Sequence, residues 1–132
     1  MNHAIRLTRG CDLKLEIIKY CKDNNINAGA IISGVGSLSH LYIRLAEAKD
    51  YIDREESYEI VSITGTISKE DVHIHISVSD NKGNTIGGHL KNGTIIDTTC
   101  ELVIYELTDY AFTREFDKET GYDELAIKKI DK

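Results

Sequence analysis

The sequence predicts an α+β fold: a compact single domain over residues 1–132, mainly antiparallel β-sheet, with one principal helix near the N-terminus. Three observations predict it. From Ala28 onward apolar residues recur with a period of two, the pattern of strands with one buried face. Before that point, Leu13, Ile17, Ile18 and Cys21 lie close to the spacing of a core-facing helical stripe. A chain of 132 residues is of single-domain length, and it carries no internal repeat, low-complexity segment or composition break.

Residues 5–7 read as a short first strand and Thr8-Arg9-Gly10 as a turn. Asp12 is placed to cap a helix over about 13–25, because its carboxylate can accept from the free N–H groups of the first turn. Asn24-Asn25-Ile26-Asn27 ends that helix, since Asn tolerates the left-handed conformation of a helix end. Residues 30–33 form a strand, Gly34-Val35-Gly36-Ser37 interrupts it, and residues 38–45 resume it. The charged run 46–57 reads as a loop or hairpin tip. Residues 58–67 are apolar on both faces and therefore predict a central strand. Residues 72–79 and 85–91 form a hairpin, and residues 100–107 a further strand. From Thr108 the chain is an acidic tail that contains Arg114, Phe116 and an Asp117-Lys118-Glu119-Thr120-Gly121 turn.

Composition limits the function classes. Hydrophobic residues make up 41% and charged residues 29%, ordinary values for a soluble globular domain. No apolar run approaches 18 residues, and Met1-Asn2-His3-Ala4-Ile5-Arg6 lacks the apolar core of a secretion signal, so a cytoplasmic location without membrane contact is expected. Three widely spaced cysteines, Cys11, Cys21 and Cys100, form neither a disulfide framework nor a Cys-x-x-Cys zinc site, which suits a reducing compartment. The net charge is −6. The charge is uneven: residues 1–30 carry five Lys/Arg against three Asp/Glu, residues 97–132 five against ten. An acidic chain without a basic cluster is a poor ligand for nucleic-acid phosphates.

The informative segment is the hairpin. Val72, Ile74, Ile76 and Val78 share one face of its first strand; His73, His75, Ser77 and Ser79 share the other. Asn81-Lys82-Gly83 fits a three-residue loop, a type I turn closed by a left-handed Gly. That loop pairs Asp80 with Asn84 and sets His75 opposite His89, Val78 opposite Ile86 and Ile74 opposite Leu90. Loops one residue shorter or longer would oppose apolar to polar residues, so turn and hydrophobic pattern select one register independently. Directly opposed Cβ atoms lie about 4.5–5.5 Å apart, and i, i+2 neighbours on one strand face about 6.5–7 Å apart. His73, His75 and His89 therefore converge. Three imidazoles can hold a divalent metal, zinc foremost, at about 2.0–2.1 Å and leave one position open for a ligand. The competing structural reading is a set of histidines on a solvated strand face. Gly87 and Gly88 leave room beside the cluster for a ligand or another backbone. Gly34, Gly36 and Ser37 form a second candidate ligand element as an anion cradle, with a strand bulge or corner as the structural alternative. His3 and His40 have no comparable arrangement, and Cys21 on the apolar stripe reads as core.

Several runs, in order, resemble a known family. They are Ala28-Gly29-Ala30-Ile31-Ile32-Ser33-Gly34-Val35-Gly36-Ser37-Leu38, the stretch from Glu59 to Ser68 around Gly65, His73-Ile74-His75 with Ser79-Asp80 and Gly83, and Ile86-Gly87-Gly88-His89-Leu90. With Arg114-Glu115-Phe116-Asp117-Lys118-Glu119-Thr120-Gly121 they look like the stand-alone prokaryotic type of the PPC domain, the "plants and prokaryotes conserved" domain or DUF296. The resemblance implies an α/β domain with a mainly antiparallel sheet, a homotrimer, and a metal at the three histidines. Plant members accompany AT-hook segments that enter DNA; this chain has no Arg-Gly-Arg-Pro and no proline at all. The DNA-binding label of stand-alone bacterial members then looks inherited from the plant architecture, and DNA is not an expected partner of the isolated domain.

Three functions compete. The first is a homotrimeric binding, scaffold or regulatory protein with a three-histidine metal or small-molecule site. The second is a zinc-type hydrolase or lyase, for which Glu47 and Glu59 supply a general base only if the fold brings them near. The third is a DNA-associated regulator, which requires Arg6, Arg9, Lys14, Lys19 and Lys22 to share one face.

Overall fold

The computed structural model describes residues 1–130. Strand β1 (Asn2–Thr8) leads to helix α1 (Leu13–Asp23), then β2 (Ala28–Arg44), a single 3₁₀ turn at Ala46–Ala48, β3 (Tyr51–Ser68), β4 (Asp71–Ser79), β5 (Thr85–Leu90), β6 (Ile95–Glu106), β7 (Tyr110–Phe116) and β8 (Asp123–Lys129). Six strands form one antiparallel sheet in the order β1-β6-β2-β3-β4-β5. Strand β5 pairs a second time, with the end of β2 through Ile43–Leu90 and Arg44–His89, so β2, β3, β4 and β5 close into a ring. Strands β7 and β8 form a separate two-stranded sheet.

The helix forms for the reasons its sequence gives. Asp12 is extended, and its Oδ1 accepts from the Leu15 N–H at 3.1 Å while Oδ2 accepts from the Gly93 N–H at 2.6 Å. One carboxylate thus caps the helix and ties it to the turn before β6. Leu13, Ile17 and Cys21 are buried, and they join Ile31, Ile63, Ile74, Leu102 and Ile104 in one core. Asn25 takes the left-handed conformation just past the helix end. Burial among apolar neighbours pushes the Cys21 and Cys100 thiols up to about 11, with nearby Glu106 and Glu101 adding to the respective shifts.

Four expectations about strands are corrected. Residues 34–37 do not interrupt β2, which runs unbroken from Ala28 to Arg44. A Cβ at Gly34 would collide with the Ile63 and Leu102 side chains, and one at Gly36 with the Thr99 and Cys100 backbone, so these glycines let strands approach rather than end. The charged stretch 51–57 is strand: Tyr51 to Glu55 pair with His40 to Arg44, with Leu41 and Ile43 buried, Ile52 packed against the core, and Tyr51, Asp53, Arg54 and Glu55 exposed. Strand β6 begins at Ile95 rather than residue 100. The tail is the β7–β8 hairpin, docked by buried Phe112, whose N–H donates to the Asn27 carbonyl at 3.0 Å and whose carbonyl accepts from the Lys69 N–H at 2.8 Å.

Shifts of register interrupt the ladders between Ile31 and Ser33 on β2 and between Ile60 and Ser62 on β3. Each bulge places an extra residue outward. Ile32 and Val61 accordingly stand exposed, as do Val35 and, on β6, Val103 and Tyr105.

Candidate metal centre

The β4–β5 hairpin has the register that its turn dictates. His75 pairs with His89, Ile76 with Gly88, Ser77 with Gly87, Val78 with Ile86 and Ser79 with Thr85. Gly83 has φ +81°, its N–H donates to the Asp80 carbonyl at 3.0 Å, and the Asp80 N–H donates to the Asn84 carbonyl at 3.0 Å. The Asp80 carboxylate also accepts from the Lys82 and Asn84 N–H groups, both at 2.9 Å, which holds it below the usual carboxylate range. The partner of Leu90 is Ile43 of β2, because the sheet closes there and takes the end of β5 with it.

The imidazoles of His73, His75 and His89 meet on the face of the hairpin turned away from the core. Ring centroids are 5.1 Å apart for His73–His75, 5.1 Å for His73–His89 and 5.7 Å for His75–His89. One ligating nitrogen from each lies within 4.8 Å of the others. His73 and His75 are exposed and His89 is half-buried. Among the described residues, buried Nδ1 of His89 has no hydrogen-bond partner. A buried unpaired polar nitrogen is costly unless something else binds it. Burial lowers the pKa of His89 to about 4, assisted by the positive charges of Arg44 and Lys14 and by the neighbouring imidazoles. Partial desolvation also lowers His73 despite its exposed edge, with His75, Arg114 and Arg44 acting in the same direction and Glu124 opposing them. Imidazoles kept neutral are imidazoles ready to donate to a cation. The donor set, its spacing and the orphaned nitrogen all fit a divalent metal of the nitrogen-preferring kind.

These histidines line a cavity of about 790 Å³, within the range of small-molecule sites. Gly87 and Gly88 line it, and neither has room for a side chain: a Cβ on Gly88 would sit 2.6 Å from the Arg44 carbonyl oxygen, and one on Gly87 2.6 Å from that of Ile76. Gly34, Gly36 and Ser37 do not line this cavity. The glycines lie within β2, and the Ser37 hydroxyl donates to the Asp97 carbonyl at 3.0 Å beside a smaller, separate pocket.

Of the rest of the lining, sequence reasoning offers this site only Glu47, as a base conditional on the fold. Lys14 arrives from α1, Arg44 from the end of β2, Glu47 and Ala48 from the 3₁₀ turn, Asp71 from β4, and Arg114, Tyr122, Asp123 and Glu124 from the β7–β8 hairpin. Burial lowers the Lys14 pKa; Asp71 opposes that shift and Lys91 adds to it. Glu47 (φ +74°) and Ala48 (φ +57°) both hold left-handed backbone, a conformation that costs non-glycine residues energy and gathers at working sites. Of the two candidate bases, Glu47 reaches the histidine cavity, whereas Glu59 lines the pocket beside Ser37.

The N-terminal basic residues do not remain free as a group. Arg9 pairs with Asp97 at 3.1 Å, Lys19 with Asp23 at 3.3 Å, and Lys14 turns into the cavity. His3 bonds Tyr20 and Glu106, both at 2.8 Å, and His40 pairs with Asp53. Among the described residues no helix is long and apolar enough to cross a membrane.

A model of the Plants and Prokaryotes Conserved (PCC) domain matches residues 1–108. The β7–β8 hairpin, with its four cavity residues, lies beyond the matched span. The chain is 40% identical over 129 residues to the bifunctional protein GlmU of Synechococcus sp. (strain JA-3-3Ab), covering 97% of this chain and 21% of that one. It thus spans about a fifth of the length of the curated relatives it matches. Among solved structures, a hypothetical protein from Salmonella superposes with TM-score 0.94 at 32% identity, covering 98% of this chain and 94% of the other. A metal-containing protein from Archaeoglobus fulgidus superposes with TM-score 0.80 at 29% identity, covering 96% of this chain and 93% of the other.

Proposed function

The chain belongs to the Plants and Prokaryotes Conserved (PCC) domain family, and from that premise we propose that it is a self-associating binding or regulatory protein built around a three-histidine divalent metal centre, with zinc as its metal. The observation that carries the reading is the buried, unpartnered His89 Nδ1 beside two further imidazoles that the hairpin register brings within ligating distance. His73, His75 and His89 would hold the ion, and a bound zinc supplies Lewis acidity toward a ligand in the cavity. The similarity to a metal-containing archaeal protein supports the same reading.

Elemental analysis of the protein purified from zinc-supplemented medium tests it. One zinc per chain is expected for the native protein and for His3→Ala, whose histidine is hydrogen-bonded elsewhere. His89→Ala should lose the metal. Native protein without bound metal, also after dialysis against zinc, refutes the centre.

A homotrimer is part of the proposal. The exposed apolar residues Ile32, Val35, Val61, Val103 and Tyr105, set outward partly by two bulges, support association through the sheet face. A second reading, a metal-dependent hydrolase or lyase, is favoured by one observation: Glu47 lines the cavity on a left-handed backbone. Its carboxylate, like those of Asp71, Asp123 and Glu124 in the same lining, is available there to accept a proton.

A further inference from the structure

Two buried donors in the cavity have no use in the chain itself. Nε of Arg44 and Nη2 of Arg114 are both shielded from solvent, and neither has a hydrogen-bond partner among the described residues. Among the described residues no ion pair within 4 Å engages either guanidinium, although Asp71, Glu47, Asp123 and Glu124 line the same cavity. Those four acids are exposed, whereas Lys14, Arg44 and Arg114 are half-buried. The cavity therefore has a cationic interior and an acidic rim. Charged donors stripped of water and left unpaired are strongly unfavourable, and a site that maintains two of them is arranged for something that arrives.

The three cations come from three separate elements. Arg44 ends β2, where its pairing with His89 fixes it beside the histidines. Arg114 sits two residues beyond Phe112 on β7, and the buried phenyl ring that docks the hairpin directs Arg114 to the same side. Lys14 is on the first turn of α1, next to the capping Asp12.

We infer that Arg44 and Arg114, with Lys14, form an oxyanion subsite facing the three histidines, so that the cavity takes a small ligand bearing a carboxylate or phosphate group. Guanidinium forks suit both groups, because each offers oxygen pairs that accept parallel N–H bonds. The specificity element would then be the β7–β8 hairpin, the part of the cavity wall outside the residues that the family model matches. The inference deepens the metal reading by naming the class of ligand, and it rests on that reading only for the histidine side of the cavity.

Calorimetric titration with inorganic phosphate and, separately, with malonate tests it, on zinc-loaded and on metal-free protein. Native protein should bind one of the two, and the arm that responds identifies the group as phosphate or carboxylate. Arg114→Gln and Arg44→Gln should each weaken that binding by about ten- to a hundredfold, the usual effect of deleting a charged hydrogen bond. Both variants should keep one zinc per chain, and Arg9→Gln, which removes a charge outside the cavity, should bind as the native protein does. Circular dichroism establishes that each variant is folded; Arg114, on the peripheral hairpin, gives the variant least dependent on the main sheet. Arginine-dependent anion binding by a protein that takes up no zinc sustains the subsite while ending the metal reading. Absence of binding at millimolar phosphate and malonate, or equal affinity in native protein and both arginine variants, overturns the inference.

Discussion

His89 is the residue on which the site's charge state turns. In the folded, metal-free chain its pKa is lowered to about 4 from an ordinary 6.5, first by burial and then by Arg44 and its neighbours. Between those two values the unfolded chain binds the proton and the folded chain does not, so stability rises with pH across this window and falls on acidification from 6.5 toward 4. Urea unfolding of the metal-free protein should therefore give a lower midpoint at pH 5 than at pH 7, with the difference reduced in His89→Asn. An unchanged difference in that variant would assign the acid sensitivity to other groups. The three histidines were legible at this scale because alternation in one strand and one turn of known geometry define which side chains meet. Arg44, Arg114, Lys14 and Glu47 were not, because their place depends on ring closure and on hairpin docking, which join segments far apart in the chain.

Among the elements, β5 is the one that makes the site. It pairs with β4 on one side and β2 on the other, and Gly88 is the contact that lets β2 come close. Gly88→Ala puts a methyl group against the Arg44 carbonyl oxygen, which backbone cannot yield without moving β5 and its histidine. A fall in zinc affinity of about tenfold or more is expected, the scale of a lost supporting contact around a metal, with the circular dichroism spectrum unchanged. Zinc affinity equal to the native protein's would show that the histidines do not depend on this junction. Two causes lie behind the elements misread from sequence. Gly34 and Gly36 look like breaks, yet Ile63, Leu102 and the Thr99 backbone fill the space that their side chains vacate. Residues 51–57 look like loop because Ile52 is the one aliphatic residue that this segment sets against the core, and the charged, exposed side chains around it leave no apolar alternation.

The whole molecule combines a net charge of −6 with an exposed apolar sheet face. The two properties act in opposite directions: the charge disfavours casual association and phosphate-rich partners, while the face favours a specific one. Light scattering should give a mass near three chains for the native protein, and Val61→Asp combined with Val103→Asp should shift it toward one chain. A native mass of one chain at micromolar concentration would exclude the assembly. Zinc content measured on the same samples separates loss of assembly from loss of the metal centre.

The closed ring of β2, β3, β4 and β5 also orders events in time. The histidines belong to a single hairpin, which requires only a short loop to close and so forms early. Arg44 reaches them only when β5 docks on the end of β2, and Arg114 only after the last hairpin has been synthesised and Phe112 has seated. In a nascent chain the three imidazoles of the proposed metal centre are thus all synthesised before Arg114 of the proposed oxyanion subsite. Metal bound at that earlier moment would hold β4 and β5 together as a preformed template on which the later strands assemble.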